Sequence, residues 1–424
     1  MAIDTLSRDA RAPRLPGDAT SFDELAHYNL NEGPVDEFSD LPEIAPKIRN
    51  IGWTLGNDCP YRCTHCYSMN ARVKGSDMSV EMIDRIVDQL AINGVETVNL
   101  GGNEPLFTNG PNPKNTLLPY IITKLASRGI EVGLTTSGIT LLHLYRDHRH
   151  AFDLLNDVDV SFDSPFEQEH NKNRGAKIFH QAVQSMEICR SHNKPHTAIM
   201  CAMNWNFSAE HIEALVKLAA SLGGNVRINS IKPTKPEHMN VALTPKQFYD
   251  GFSLLLSLCD PVDLGEPPIA SVTEYSGAAR CPCGRTSFRI HSITPDGAIH
   301  VSPCVYLHDF KAPMDLLKHD LLDIINSPQF KTFRQRNANP HMVSGCDGCK
   351  RLNSCGGGCV ARSYLYNLHQ NGERSMLARD PYCPEEHYEG QIFPQSPQLI
   401  ADEKLVHMDY LCTWIGRPKP AQTA

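Results

Sequence analysis

Ile51-Gly-Trp-Thr-Leu55-Gly-Asn57-Asp-Cys59-Pro-Tyr-Arg-Cys63-Thr-His65-Cys66-Tyr67 decides how this chain is read. An apolar run of strand character, Ile51–Leu55, delivers three thiols within eight residues, spaced C-x3-C-x2-C. Thiolates are the soft ligands that iron–sulfur clusters require. Three of them can hold one corner of a cubane and leave one iron open, as a metal centre that binds substrate needs. Zinc is the competing reading. It prefers four ligands, commonly as paired C-x2-C units, and no fourth partner lies nearby.

Outward from this stretch the pattern alternates. Ser79 caps a helix whose Met82, Ile86 and Leu90 share one face, and Asn93-Gly94 stops it. Further strands are expected at 97–100, 131–135, 158–162, 196–203 and 226–231. Helices are expected at 116–128, after Ile139, at 176–192 and from Ser208. Six such β/α steps imply a parallel sheet, the partial and open relative of an eight-unit barrel. The fold class is therefore α/β, with a partial (β/α)6 barrel over 49–243 and reactive groups at the carboxyl ends of the strands. Residues 1–48 read as an irregular N-terminal arm, 244–280 as a connector with a helix at 244–258, and 281–391 as a small Cys-rich domain. Residues 392–424 read as a frayed tail.

Of the fifteen cysteines, three fall in 59–66, three in 281–304 and five in 346–383. Clustered thiols fit metal ligands in a reducing compartment better than disulfides. The net charge of −8 argues against a nucleic-acid partner, and no apolar stretch is long enough for a membrane span. A cytoplasmic location is expected.

Three further stretches carry a resemblance. Leu100-Gly101-Gly102-Asn103-Glu104-Pro105 follows the second strand, Thr135-Thr-Ser137-Gly138 ends the third, and Ser161-Phe-Asp163-Ser-Pro165 precedes Arg174-Gly175. With the first Cys motif they resemble the radical S-adenosylmethionine (SAM) superfamily. That resemblance implies that Cys59, Cys63 and Cys66 hold a 4Fe-4S cluster whose open iron is chelated by SAM. It places His65 near the adenine, and Gly102, Asn103 and Glu104 at the SAM amino group. Ser137 and Ser161 become contacts in the SAM pocket, Asp163 a contact or a local cap, and Arg174 a partner for the SAM carboxylate. Asn103 stands where the family usually has a second Gly, which changes the local backbone.

Cys346-x2-Cys349-x5-Cys355-x3-Cys359, followed by Cys383, is similar to the SPASM domain of peptide-modifying radical SAM enzymes. Cys283-Gly and Pro303-Cys304 resemble its start, with six residues where the family usually has four. The resemblance implies two auxiliary 4Fe-4S clusters. Cys346, Cys349, Cys355 and Cys383 would hold the distal one, and Cys283, Cys304 and Cys359 the one nearer the barrel. Cys281 is its fourth ligand, or else one iron there is open to substrate. Cys201, at the end of the fifth strand, is a candidate hydrogen donor, although a free Cys is also a common core residue. Cys189, Cys259 and Cys412 are read as structural.

The plan is similar to the mycofactocin-maturase-like enzymes that mature ribosomally made peptides. It implies a 5′-deoxyadenosyl radical that abstracts a hydrogen from a precursor peptide, leading to a crosslink, a decarboxylation or a backbone rearrangement. Oxidation of a protein side chain, as in sulfatase maturation, and radical modification of a sugar or nucleoside are the alternatives. A flavodoxin or ferredoxin is the implied electron donor. A separate leader-binding protein is expected, since the N-terminal arm does not read as a folded leader-binding domain.

Overall fold

The computed structural model describes residues 38, 41, 44–69, 72–275 and 281–420. The arm expected over 1–48 lies largely outside these residues. Six parallel strands, β1 (Asn50–Leu55), β2 (Thr97–Gly102), β3 (Glu131–Thr136), β4 (Leu155–Ser161), β5 (His196–Ala202) and β6 (Asn225–Ser230), lie in sequential order in one sheet. The sheet is open, as the β/α alternation predicts. It is also wider than predicted. Beyond β1 come β8 (Ser287–Ile290) and β9 (Val301–Ser302), and beyond β6 come β10 (Trp414–Pro418) and β7 (Cys259–Leu264).

Local chemistry sets the helix boundaries. Helix α1 (Val80–Ile92) starts where the Ser79 hydroxyl accepts from the Met82 N–H at 3.3 Å, and it buries Ile83, Ile86, Val87 and Leu90 against the sheet. Helices α2 (Leu118–Ser127), α3 (Ile139–Asp147) and α4 (Arg149–Asp153) follow in turn. The span expected as one helix at 176–192 is entered by a separate short helix, α5 (Glu167–Arg174), closed by Gly175 at φ 65°. Helix α6 (Phe179–Ser191) then begins late because the Asn171 side-chain oxygen accepts from the N–H groups of Ile178 (2.8 Å) and Phe179 (3.0 Å). Helix α7 (Ala209–Ser221) packs on β6 and β10, and α8 (Pro245–Leu258) opens with a Thr244–Gln247 capping box.

The tail at 392–424 is not frayed within the described residues. Strand β10 runs antiparallel between β6 and β7, and Trp414 is fully buried. The segment before it, Leu405–Thr413, crosses the concave face of the sheet. His407 is hydrogen-bonded through Nδ1 to Asp157 Oδ2 (2.5 Å) and through Nε2 to Asn99 Oδ1 (2.9 Å). Asp157 also accepts from the Val406 N–H at 2.9 Å, and the Ser287 hydroxyl donates to the Tyr410 carbonyl at 2.9 Å. Room for this segment comes from small and polar residues in register: Gly52 pairs with Asn99, Asn99 with Gly133, and Gly133 with Asp157. A side chain on Gly52 would put its Cβ 1.6 Å from the Tyr410 phenolic oxygen.

Gly52→Ala is therefore expected to lower stability by about 1–3 kcal/mol, the usual cost of overpacking. A urea melt checks this, and an unchanged midpoint would show that the C-terminal segment does not fill the barrel interior.

Candidate active site and cluster-binding thiols

The carboxyl ends of β1–β6 open onto one shared cavity. Cys59, Cys63 and Cys66 line it together with His65, Gly102, Asn103, Glu104, Ser137, Ser161, Arg174 and Cys201. The structure thus brings together every expected residue of this site except Asp163. That carboxylate sits behind the wall, fully buried. It pairs with Arg174 (Nη2 to Oδ1, 2.8 Å) and accepts from Asn173 (2.7 Å). Burial works against its charge, but Arg174, His65 and His170 prevail and hold it at about 2. It holds Arg174 and lies beside His65 without lining the cavity, so of the two roles expected for it, contact or local cap, this placement fits the local one.

The thiols have cationic neighbours. Arg72 Nη2 lies 3.2 Å from Cys66 Sγ, and Arg174 Nη1 lies 3.7 Å from Cys63 Sγ. Burial raises the Cys63 thiol to about 11 and Cys59 in the same direction, so metal binding here displaces protons. Three soft donors at a cavity mouth, with guanidiniums placed to offset thiolate charge, fit an iron–sulfur cluster with one open iron.

Asn103 explains the departure from the glycine expected there. Its side-chain oxygen accepts from Ser68 Oγ (2.6 Å) and Arg72 Nε (2.8 Å), so it aims Arg72 at Cys66. The preceding Gly102 has φ 88°, and a Cβ there would lie 2.1 Å from Arg289 Nη2. Glu104 is held by four donors: the Ser137 N–H (2.9 Å), the Ser137 hydroxyl (2.6 Å), and the hydroxyls of Thr136 and Thr140. Four donors match a carboxylate's roughly four lone-pair sites, so a ligand ammonium reaches Glu104 by taking the place of one of the hydroxyls.

Residues that the sequence reading left without a role complete the wall. Lys232 Nζ donates to Asn229 Oδ1 (2.8 Å) and lies 5.4 Å from the centroid of the Tyr306 ring, and Asn229 donates to the Tyr306 hydroxyl (2.5 Å). Tyr306 is two residues beyond Cys304, so this group joins the cavity to the Cys-rich domain. Its sequence signal was the polar Asn-Ser-Ile-Lys end of the sixth strand. Cys201 stays a neutral thiol, since burial raises it to about 12.

Beyond Tyr306 the other thiols form two groups. Cys281 contacts Cys283 and Cys359, and Cys283 contacts Cys304. Cys346 lies beside Cys349 and Cys383, and Cys355 beside Cys346 and Cys383. Between the groups Asp380 accepts from the Cys359 N–H (2.8 Å) and from Arg362 (2.9 and 2.7 Å), whose guanidinium also reaches Glu266 (2.7 Å). Both donor sets suit 4Fe-4S clusters. The proximal group contains a fifth thiol, Cys412, which the sequence reading took as structural.

An open parallel sheet with a three-thiol loop after its first strand and a fixed Glu-Pro carboxylate after its second defines a radical SAM enzyme. The radical SAM superfamily pattern matches residues 53–219, and SPASM, an iron–sulfur cluster-binding domain, matches 281–350. The chain belongs to the radical SAM superfamily and carries a SPASM domain; its cofactors are SAM and 4Fe-4S clusters. It is 24% identical over 349 residues to the mycofactocin maturase MftC of Mycobacterium ulcerans, covering 78% of this chain and 87% of that one. Among solved structures it is similar to anSMEcpe with bound AdoMet (17% identity, TM-score 0.61, 80% of this chain and 91% of that one). It is also similar to Streptococcus suis SuiB bound to precursor peptide SuiA (14% identity, TM-score 0.55, 81% and 77%).

Glu104→Gln replaces an acceptor-only group by one that must also donate. It is expected to weaken SAM binding at least about tenfold, since hydrogen bonds to charged groups contribute about 1.5–3 kcal/mol. Isothermal titration of the reconstituted protein measures this, and unchanged affinity would remove Glu104 from the SAM site.

Proposed function

We propose that this enzyme oxidatively matures a ribosomally made precursor peptide. The observation that carries the reading is the Lys232–Asn229–Tyr306 group, which links the active cavity to the proximal thiols. A substrate held at this wall lies between the site of hydrogen abstraction and a centre able to take up an electron. The similarity to mycofactocin maturase across most of both chains supports a peptide substrate.

SAM bound at a reduced cluster supplies a 5′-deoxyadenosyl radical, and the rest of the work falls to the chain. Cys59, Cys63 and Cys66 hold the cluster, while Arg72 and Arg174 balance its thiolates. Glu104 accepts from the SAM ammonium, and Ser137 and Ser161 line the pocket around the nucleoside. Tyr61, Tyr67 and Tyr306 exclude water from the cavity. Cys283, Cys304 and Cys359 would hold a proximal cluster, with Cys281 one candidate for its fourth iron, and Cys346, Cys349, Cys355 and Cys383 would hold a distal one. A proximal cluster bound there would supply an electron acceptor for a peptide radical, as an oxidative crosslink, decarboxylation or backbone rearrangement requires. Cys201, a neutral thiol at the cavity, retains a hydrogen it can return to a radical. A flavodoxin or ferredoxin supplies the electrons, and a separate protein presents the peptide leader. All fifteen cysteines are free thiols, and no helix among the described residues is long and apolar enough to cross a membrane. Free thiols in this number support a reducing, cytoplasmic setting.

The reduced holoenzyme with SAM and candidate peptides is expected to yield 5′-deoxyadenosine and a peptide of altered mass. Cys59→Ala abolishes both, whereas Cys349→Ala spares SAM cleavage and loses the altered peptide. Cleavage that depends on a sugar or nucleoside and on no peptide overturns the proposal. If Cys201 returns a hydrogen, product formed in D2O carries deuterium at the reacting carbon, and Cys201→Ala loses that label.

A further inference from the structure

The cysteines outside the three sequence clusters divide sharply by surroundings. Cys189 and Cys259 lie in the apolar core of the sheet and its helices, where burial raises each to about 12 and no other thiol acts on them. Cys412 lies instead in the second buried cluster, among Cys281, Cys283, Cys304 and Cys359. It packs in the same buried cluster as Cys281 and Cys359, whose thiols are the neighbours that act on it most. The chain on either side of Cys412 is fixed. Tyr410 is anchored by Ser287 and by Arg289 (2.5 Å), Trp414 is locked into β10, and the Cys412 carbonyl accepts from Lys232 Nζ at 3.4 Å.

We propose that Cys412 is an iron ligand of the auxiliary cluster nearest the active cavity, so that the C-terminal segment forms part of that cluster's ligand set. The proposal rests on the assignment of a cluster to the proximal thiols. Five thiols converge where four irons need thiolates. Cys281 and Cys283 are separated by a single proline, and Cys412 packs into the cluster that holds both of them with Cys304 and Cys359. It therefore supplies a full thiolate complement even when one of that pair stands aside. A cluster closed in this way has no iron free for the peptide. It exchanges electrons with the substrate through the Tyr306–Lys232 wall and does not ligate it.

The test uses the full-length chain with Cys59, Cys63 and Cys66 all changed to Ala, so that only auxiliary clusters report. After anaerobic reconstitution, iron and sulfide content, the EPR spectrum of the reduced protein and the midpoint potential are measured. Cys412→Ala is expected to lose up to one cluster's iron, about four atoms per chain, and to lose or change one EPR signal. Cys412→Ser, which keeps the shape and offers a harder oxygen ligand, is expected to shift the potential and spectrum of that signal, and it decides the matter if the Ala variant does not fold. Cys259→Ala should match the parent and Cys304→Ala should lose the cluster. Variants at Cys412 that match the parent in iron, spectrum and potential while Cys304→Ala does not would overturn the proposal. A silent Cys304→Ala would remove the proximal cluster itself, and this ligand with it.

Discussion

A buried charge network on the concave face of the sheet holds this structure together. Asp157 and Asp159 on β4, Arg227 on β6 and His407 from the C-terminal segment are almost wholly buried. Arg227 Nη1 reaches Asp159 Oδ2 at 2.5 Å, and His407 bridges Asp157 and Asn99. Charges in such surroundings are tolerated only when paired and hydrogen-bonded. The two aspartates thus require the basic groups, one of which arrives from residue 407. The same three side chains, Asp157, Asp159 and His407, have the composition of a metal site. Both ring nitrogens of His407 already have oxygen partners, so hydrogen bonding accounts for the group without an ion.

From this anchor the C-terminal segment runs to Tyr410, whose hydroxyl accepts from Arg289. Arg289 in turn donates to Thr54 at the end of β1 (2.5 Å) and to the Tyr67 hydroxyl just after the Cys loop (3.2 Å). One guanidinium therefore connects the barrel interior, the first strand of the Cys-rich domain and the loop bearing the first three thiols. The geometry at the cavity mouth depends on contacts made two layers below it.

The six β/α steps were legible because their helices carry one-sided apolar patterns and their ends carry caps such as Ser79 and Asn93-Gly94. Cysteine spacing marked three thiol clusters; the fold draws Cys359 out of the 346–383 cluster to lie with Cys281, Cys283 and Cys304, as the resemblance implied. The C-terminal strand was not legible. Trp414-Ile-Gly-Arg-Pro is short, ends in proline and pairs only with strands far away in sequence, so no local period marks it. A signal did exist elsewhere. Fully buried parallel strands usually read as continuous apolar runs, yet Gly52, Asn99, Gly133 and Asp157 interrupt four of them at matching register. Together they imply a strip of interior space that something else must fill. Cys412 was missed for a related reason: it lies almost thirty residues beyond Cys383, and only the threading of the segment carries it back among the proximal thiols. The sequence left Asp163 open between a contact and a local cap because a motif specifies neighbours in sequence and not which way a side chain faces.

A chain leaves the ribosome from its N-terminus, and its domains generally fold as they emerge. Here the barrel is completed from the other end. Until residues 405–418 have been synthesised, β6 lacks its outer neighbour, the aspartates of β4 lack their histidine, and the proximal thiols lack their fifth member. The nascent chain stays open along one side until this segment arrives. Until then Gly52, Asn99 and Gly133 line a strip of interior that has nothing packed over it.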